Sequence, residues 1–241
     1  MSASGDVDGV VSMSDIELLV SGRHDDPHQV LGAHPEHDAG GDRVVIRAWR
    51  PDATEMAMRV DGRRIPMRRV HPAGVFTGVL RGSTVPRYRL ETTVPNGSVA
   101  QFDDPYGFRP TLGDVDLHLL REGRHEQLCC HLGANVLVHQ GVRGTAFAVW
   151  APAARAVRVV GDFNGWDGRI HPMRVLGSSG VWEMFVPGVE AGARYRFEVL
   201  SQAGELSRPA ECSEALAHGS PTCCGCCLVP NGTTGAREAG H

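Results

Sequence analysis

Apolar residues in this chain recur mostly at every second position, in short runs set between glycine, proline and aspartate. Such runs predict strands at Arg43–Trp49, Glu55–Val60, Gly74–Leu80, Arg87–Val94 and Ser98–Phe102. Later in the chain they predict strands at Thr145–Trp150, Ala156–Val160, Val181–Val186 and Arg194–Leu200. Val157 and Val159 share one side of their run, as do Tyr195, Phe197 and Val199. A period of two gives one buried and one wet face, as in antiparallel sheets packed in pairs. Helical signals come first. Ser14-x-x-Glu17 reads as a capping box ahead of Ile16, Leu18, Leu19 and Val20. Asp26-Pro27 offers an N-cap followed by a proline in the first helical position, with Gly32 ending the turn.

The pattern occurs twice. At a spacing of 101 residues, Leu18-Leu19 meets Leu119-Leu120, Gly22-Arg23-His24 meets Gly123-Arg124-His125, and Leu31-Gly32-Ala33 meets Leu132-Gly133-Ala134. Trp49, Pro51 and Ala53 meet Trp150, Pro152 and Ala154. Further on, Pro66-Met67-Arg68 matches Pro172-Met173-Arg174, and Tyr88-Arg89 matches Tyr195-Arg196. A tandem duplication is the economical reading. The second copy then has its own lead-in helices, Asp114–Gly123 and His125–Gly133. The expected fold class is mostly β: two tandem immunoglobulin-like antiparallel β-sandwiches with short helical lead-ins and a disordered C-terminal tail. The expected divisions are a disordered stretch at 1–13, a first sandwich at 14–113, a second at 114–206, and a cysteine-rich tail at 207–241. The matched Trp49 and Trp150 each end an apolar run before a proline bend, which predicts core packing.

Composition narrows the function. Gly 30 and Pro 15 in 241 residues favour turns over long helices. The net charge of −4 argues against a nucleic-acid partner. No apolar run approaches a membrane span of about 18 residues. The acidic start MSASGDVDGVVSMSD is no signal peptide, so a cytoplasmic location is expected. The 24 basic residues are all arginine, as in the product of a GC-rich gene.

The copies differ in one loop. Between Val60 and Pro66 the first has Asp61-Gly62-Arg63-Arg64-Ile65, whereas the second, in which Gly161 stands at the place of Val60, runs on through His171, five residues longer. Asn164-Gly165 predicts a tight turn, with Phe163 before it and Trp166 after it. An indole can cover the C–H face of a sugar ring while amides and carboxylates bond its hydroxyl rim. Trp166, Phe163, Asn164 and Asp167, with Asp162 nearby, are therefore the candidate glucan-binding residues.

Phe147–Met173 (FAVWAPAARAVRVVGDFNGWDGRIHPM), Ser178–Gly188 and Ala193–Leu200 resemble carbohydrate-binding module family 48. With His24–His34 (HDDPHQVLGAH) and Asp103–Leu128 (DDPYGFRPTLGDVDLHLLREGRHEQL), the stretch 13–206 resembles the amino-terminal half of bacterial 1,4-alpha-glucan branching enzymes of glycogen synthesis. The resemblance implies a family of retaining glycoside hydrolase chemistry that transfers a glucan chain through an aspartate-linked intermediate to a 6-hydroxyl. In that family the catalytic carboxylates lie on a (β/α)₈ barrel of about 250 residues. Few residues follow Leu206, and these (SRPAECSEALAHGSPTCCGCCLVPNGTTGAREAGH) depart from the family, as a shifted reading frame would. Cys129-Cys130 also departs from it. The expectation is a truncated homologue that keeps non-catalytic α-glucan-binding modules, carries no catalytic residue and is inactive alone. Its expected partners are α-glucan, held weakly, and a catalytic barrel or glycogen enzyme in trans. The alternative is a β-sandwich interaction scaffold docking on a glycogen-metabolising enzyme. An uncovered barrel-facing side would promote association.

No cofactor or metal is expected. Cys223-x-x-Cys226 and Cys224-x-x-Cys227 crowd together, and Cys212 and His218 would make an uneven second pair for zinc. His24, Asp25, Asp26 and His28 flank Pro27 and read as capping groups, and Asp103-Asp104 precedes Pro105 in a turn.

Overall fold

A computed structural model describes residues 11–38, 41–113, 132–207 and 212–213. The second pair of lead-in helices, Cys129-Cys130 and the zinc-spaced cysteines of the tail lie outside the described residues. So do the first ten residues.

Four antiparallel sheets form two sandwich-like units. In the first, one sheet orders β1 (Gly32–Asp38), β2 (Gly41–Trp49), β6 (Val75–Arg81) and β5 (Arg68–His71) as β1-β2-β6-β5. The facing sheet orders β4 (Arg63–Pro66), β3 (Glu55–Val60), β7 (Tyr88–Thr93) and β8 (Val99–Phe102) as β4-β3-β7-β8. Alternate residues of both close the core: Val44, Ile46 and Phe76 meet Met56, Met58 and Leu90. In the second unit β12 (Arg174–Val175), β13 (Val181–Pro187), β10 (Val142–Trp150) and β9 (Gly133–His139) make one sheet. The other contains β11 (Ala154–Gly161), β14 (Arg194–Ser201) and β15 (Leu206–Ser207), with β16 (Cys212–Ser213) also paired to β14. Val157 and Val159 stand opposite Val199 and Phe197, on the buried side that the period of two predicts.

The duplication is visible in backbone geometry. Trp49 pairs with Val75 as Trp150 pairs with Val181. Arg50 N–H donates to the Gly74 carbonyl at 2.9 Å, and Ala151 N–H to the Gly180 carbonyl at 2.8 Å. Met67 N–H reaches the Met56 carbonyl as Met173 N–H reaches that of Val157, both at 2.9 Å. Gly74 and Gly180 have φ of 91° and 73°. A Cβ on Gly180 would lie 2.7 Å from Pro152 Cβ, so the strand must pass bare over the proline bend.

Several expectations change. The first helix, α1 (Met13–Val20), is capped by Ser12 rather than Ser14. Ser12 Oγ accepts from Asp15 N–H, and the Asp15 carboxylate accepts from Ser12 N–H. The turn Pro27–Gln29 is a 3₁₀ segment capped by Asp26, as expected, but Gly32 opens β1 instead of ending the turn. Trp49 is buried at 3% exposure, its indole N–H donating to the Ala73 carbonyl at 3.0 Å. Trp150 is half-buried and packs against the cluster of Leu112, Ala148, Leu176 and Val181, as core packing predicts. The indole bond across the bend of the second unit comes instead from Trp182, at the position of Phe76, to the Ala151 carbonyl. The stretch after Leu206 is not wholly without structure, since Tyr195 pairs with Cys212.

The units share their packing. Ile16, Leu19, Val30 and Leu31 join Trp49, Val75 and Tyr106 in one cluster with the interior of the second sandwich. The connecting stretch is pinned to β13: Thr111 N–H and Oγ1 donate to Glu183 Oε1 at 3.0 and 2.9 Å. Arg174 pairs with Glu183 Oε2 at 3.1 Å and also donates to the Phe108 carbonyl. This explains why β13 is buried on both faces where alternation predicts a wet one.

Candidate functional site

The extra loop of the second copy replaces β4. In the first unit β4 pairs with β3 along the sheet edge. In the second, the chain leaves β11 into a 3₁₀ turn, Asp162–Asn164, and returns to the sheet only at the isolated bridge between Arg158 and Pro172. The released segment is anchored from inside by Asn164. Its Oδ1 accepts from Gly161 N–H at 2.9 Å, which fixes the amide's orientation. Nδ2 then donates to the Val159 carbonyl and to His171 Nδ1, both at 2.9 Å. His171 Nδ1 is thus an acceptor, so the ring proton sits on Nε2. Burial pushes the His171 pKa down to about 3, keeping the imidazole neutral.

The tight turn lies one residue later than Asn-Gly predicts. Gly165 and Trp166 take the left-handed conformation, with φ of 61° and 63°. For a bulky residue this conformation costs about 1–2 kcal/mol. Trp166 N–H closes the turn on the Gly161 carbonyl at 3.0 Å. Its indole N–H donates to Asp162 Oδ1 at 3.2 Å, and the Arg196 guanidinium lies over the ring, 5.2 Å from its centroid. Asp162 also accepts from Arg194 Nη2 at 3.1 Å, and the Arg194 guanidinium holds the Asp162 carboxyl below its ordinary range. Asp167 pairs with Arg169 at 2.6 Å and is likewise held low by it.

The four candidate residues therefore divide. Trp166 is half-exposed, and Asp167 stands at the rim beside it. Phe163 turns inward, its ring 5.3 Å from Phe147 and 5.6 Å from His171. Asn164 is buried, with its amide spent on Gly161, Val159 and His171, so it clips the loop and presents no group to a ligand rim. Sequence reasoning missed His171, Arg194 and Arg196. The arginines were readable from β14, where they alternate with Tyr195 and Phe197 and so fall on the opposite face.

Two families match this pair of sandwiches. Residues 12–106 match the alpha-1,4-glucan branching enzyme GlgB, N-terminal domain. Residues 131–212 match Carbohydrate-binding module 48 (Isoamylase N-terminal domain). Together the two matched stretches correspond to the amino-terminal region of branching enzymes. The stretch that matches module 48 contains the whole Trp166 loop, and the match runs on to the residue that pairs with Tyr195. The module pair is 53% identical over 195 residues to the 1,4-alpha-glucan branching enzyme GlgB of Frankia casuarinae, covering 79% of this chain and 24% of that protein. The same-named protein of Myxococcus xanthus is 50% identical over 193 residues, covering 79% and 26%. GlgB 2 of Streptomyces coelicolor is 50% identical over 186 residues, covering 77% and 24%. The chain thus spans about a quarter of the length of the curated relatives it matches.

Proposed function

We propose that this module pair holds α-glucan for branching chemistry in glycogen biosynthesis, with Trp166 as the ring-stacking platform. Under this reading each unit is an immunoglobulin-like sandwich, and the pair serves as an accessory to a catalytic barrel. The observation that carries the reading is the left-handed backbone of Trp166. A strained bulky residue at an exposed turn needs a reason to be there, and strain of this kind clusters at binding sites. Asp162 and Arg196 support the reading by fixing the indole before any ligand arrives, which cuts the ordering cost of binding. Asp167, Arg169 and Arg194 surround it with donors and acceptors suited to hydroxyls.

The test is depletion of the purified protein by insoluble starch. Trp166→Ala should weaken retention by about tenfold, the loss of one aromatic stacking contact. Unchanged retention would remove the loop from the account and favour docking on a glycogen-metabolising enzyme instead. The role proposed is holding rather than bond making. Formation of α-1,6 linkages in amylose by this polypeptide alone would overturn that assignment.

A further inference from the structure

The two modules meet over a cleft of about 500 Å³, within the range of small-ligand sites. Its wall includes Trp49, Arg50, Asp52 and Phe102, with Asp103 and His171. Trp166 is not part of it, although the same loop contributes to both places.

Each wall group constrains what the cleft could take. Phe102 is half-buried, with the Arg50 guanidinium 5.0 Å from its ring centroid. Arg50 is spent on Asp52 through two parallel bonds, Nε to Oδ1 at 3.0 Å and Nη2 to Oδ2 at 2.8 Å. Asp103 lies 3.7 Å from Arg89 Nε. The charges are thus compensated in pairs, and an ionic ligand would have to break one of them. Trp49 has already given its indole N–H to Ala73. His171 is different. Its Nδ1 is filled by Asn164, so its Nε2 carries a proton, and that proton has no acceptor among the described residues. The residue is 6% exposed and lines the cleft, so this donor is available to a ligand hydroxyl.

Aromatic and aliphatic walls, one unspent neutral donor and carboxylate acceptors suit a neutral ring that carries both C–H faces and hydroxyls. We propose that the cleft between the modules is a second saccharide site, separate from the Trp166 platform, that takes the end of a short neutral oligosaccharide. Phe102 lies against a ring face, His171 Nε2 donates to a hydroxyl oxygen, and Asp103 accepts from a hydroxyl. The site does not depend on stacking at Trp166.

Maltotriose is the probe, followed in the full chain by calorimetry and by the ring resonances of His171. In Trp166→Ala, millimolar maltotriose should still shift the His171 resonances. Ala100 is an exposed residue of β8 on the cleft wall, so Ala100→Trp plugs the cleft without touching the core. This variant should weaken maltotriose binding at the cleft by about tenfold or more while keeping its starch retention through Trp166. Asp103→Ala should weaken it in the same direction, which guards against a folding defect in the plugged variant. Loss of the His171 response in Trp166→Ala, or an undiminished response in both cleft variants, would overturn the proposal. So would an equal response to inorganic phosphate, because the cleft would then prefer charge to hydroxyl.

Discussion

Trp166 pays for its place with backbone strain, and this separates its structural role from its binding role. Glycine adopts φ near 63° freely, whereas alanine does not. Trp166→Gly should therefore be more stable than Trp166→Ala by about 1 kcal/mol in urea unfolding, while both lose starch retention alike. Equal stabilities would mean that the turn relaxes once the indole is gone. The residue scale is also where the sequence misleads most. Phe163 and Asn164 have the chemistry of sugar contacts, but residue type carries no direction. A 3₁₀ turn at Asp162–Asn164 sends both inward, and the left-handed pair falls at Gly165 and Trp166. Nothing in a linear string shows that Asn164 will meet His171 across the loop.

At the scale of elements, the long apolar strands and the short edge strand β8 were legible, whereas β1, β4, β5, β9 and β12 were not. Glu55–Val60 occurs as predicted, and β10 and β14 extend only slightly beyond their apolar cores. β1, with the sequence GAHPEHD, reads as a loop because it is polar and contains Pro35. It is an edge strand, where proline is tolerated and pairing on one side suffices. β9 is the matching edge in the second unit, and β4, β5 and β12 are too short to show a period. The duplicated proline bend gives a sharper test. Gly180→Ala combines a positive φ with a methyl 2.7 Å from Pro152, so it should destabilise by about 2 kcal/mol, read as a lower urea midpoint. Gly74→Ala should behave alike, since its Cβ would lie 2.5 Å from the Arg50 carbonyl oxygen. A neutral outcome at both would show that the bend yields.

For the molecule as a whole, two buried groups set opposing responses to pH. Asp104 caps the turn at Pro105–Gly107 and accepts from Tyr88 Oη at 2.6 Å. Burial raises its pKa from 3.8 to about 6. The folded protein therefore keeps this proton longer than the unfolded chain, and the group's contribution falls as pH rises from about 4 to about 6. His171 is displaced the other way, from 6.5 to about 3. Its contribution is present above about 6.5 and is lost as pH falls towards 3, because the unfolded chain takes the proton first. Asp104→Asn removes one of the opposing slopes. Its stability should decline more steeply than the parent's between pH 6.5 and 4, and parallel profiles would count against the buried carboxylate. The expected sticky face of the second unit has little support among the described residues. Its exposed large apolar side chains are Val138, at 67%, and Leu206, at 44%.

The cluster that joins α1, Trp49 and Val75 to the interior of the second sandwich has a bearing on synthesis. The leading half of the chain leaves the ribosome first, and translation of the next hundred residues takes about five to twenty seconds. Throughout that interval the nascent first sandwich has no mate for its greasy flank. A chaperone footprint on ribosome-bound chains should therefore centre on Ile16, Leu19 and Tyr106, and should vanish when β14 emerges.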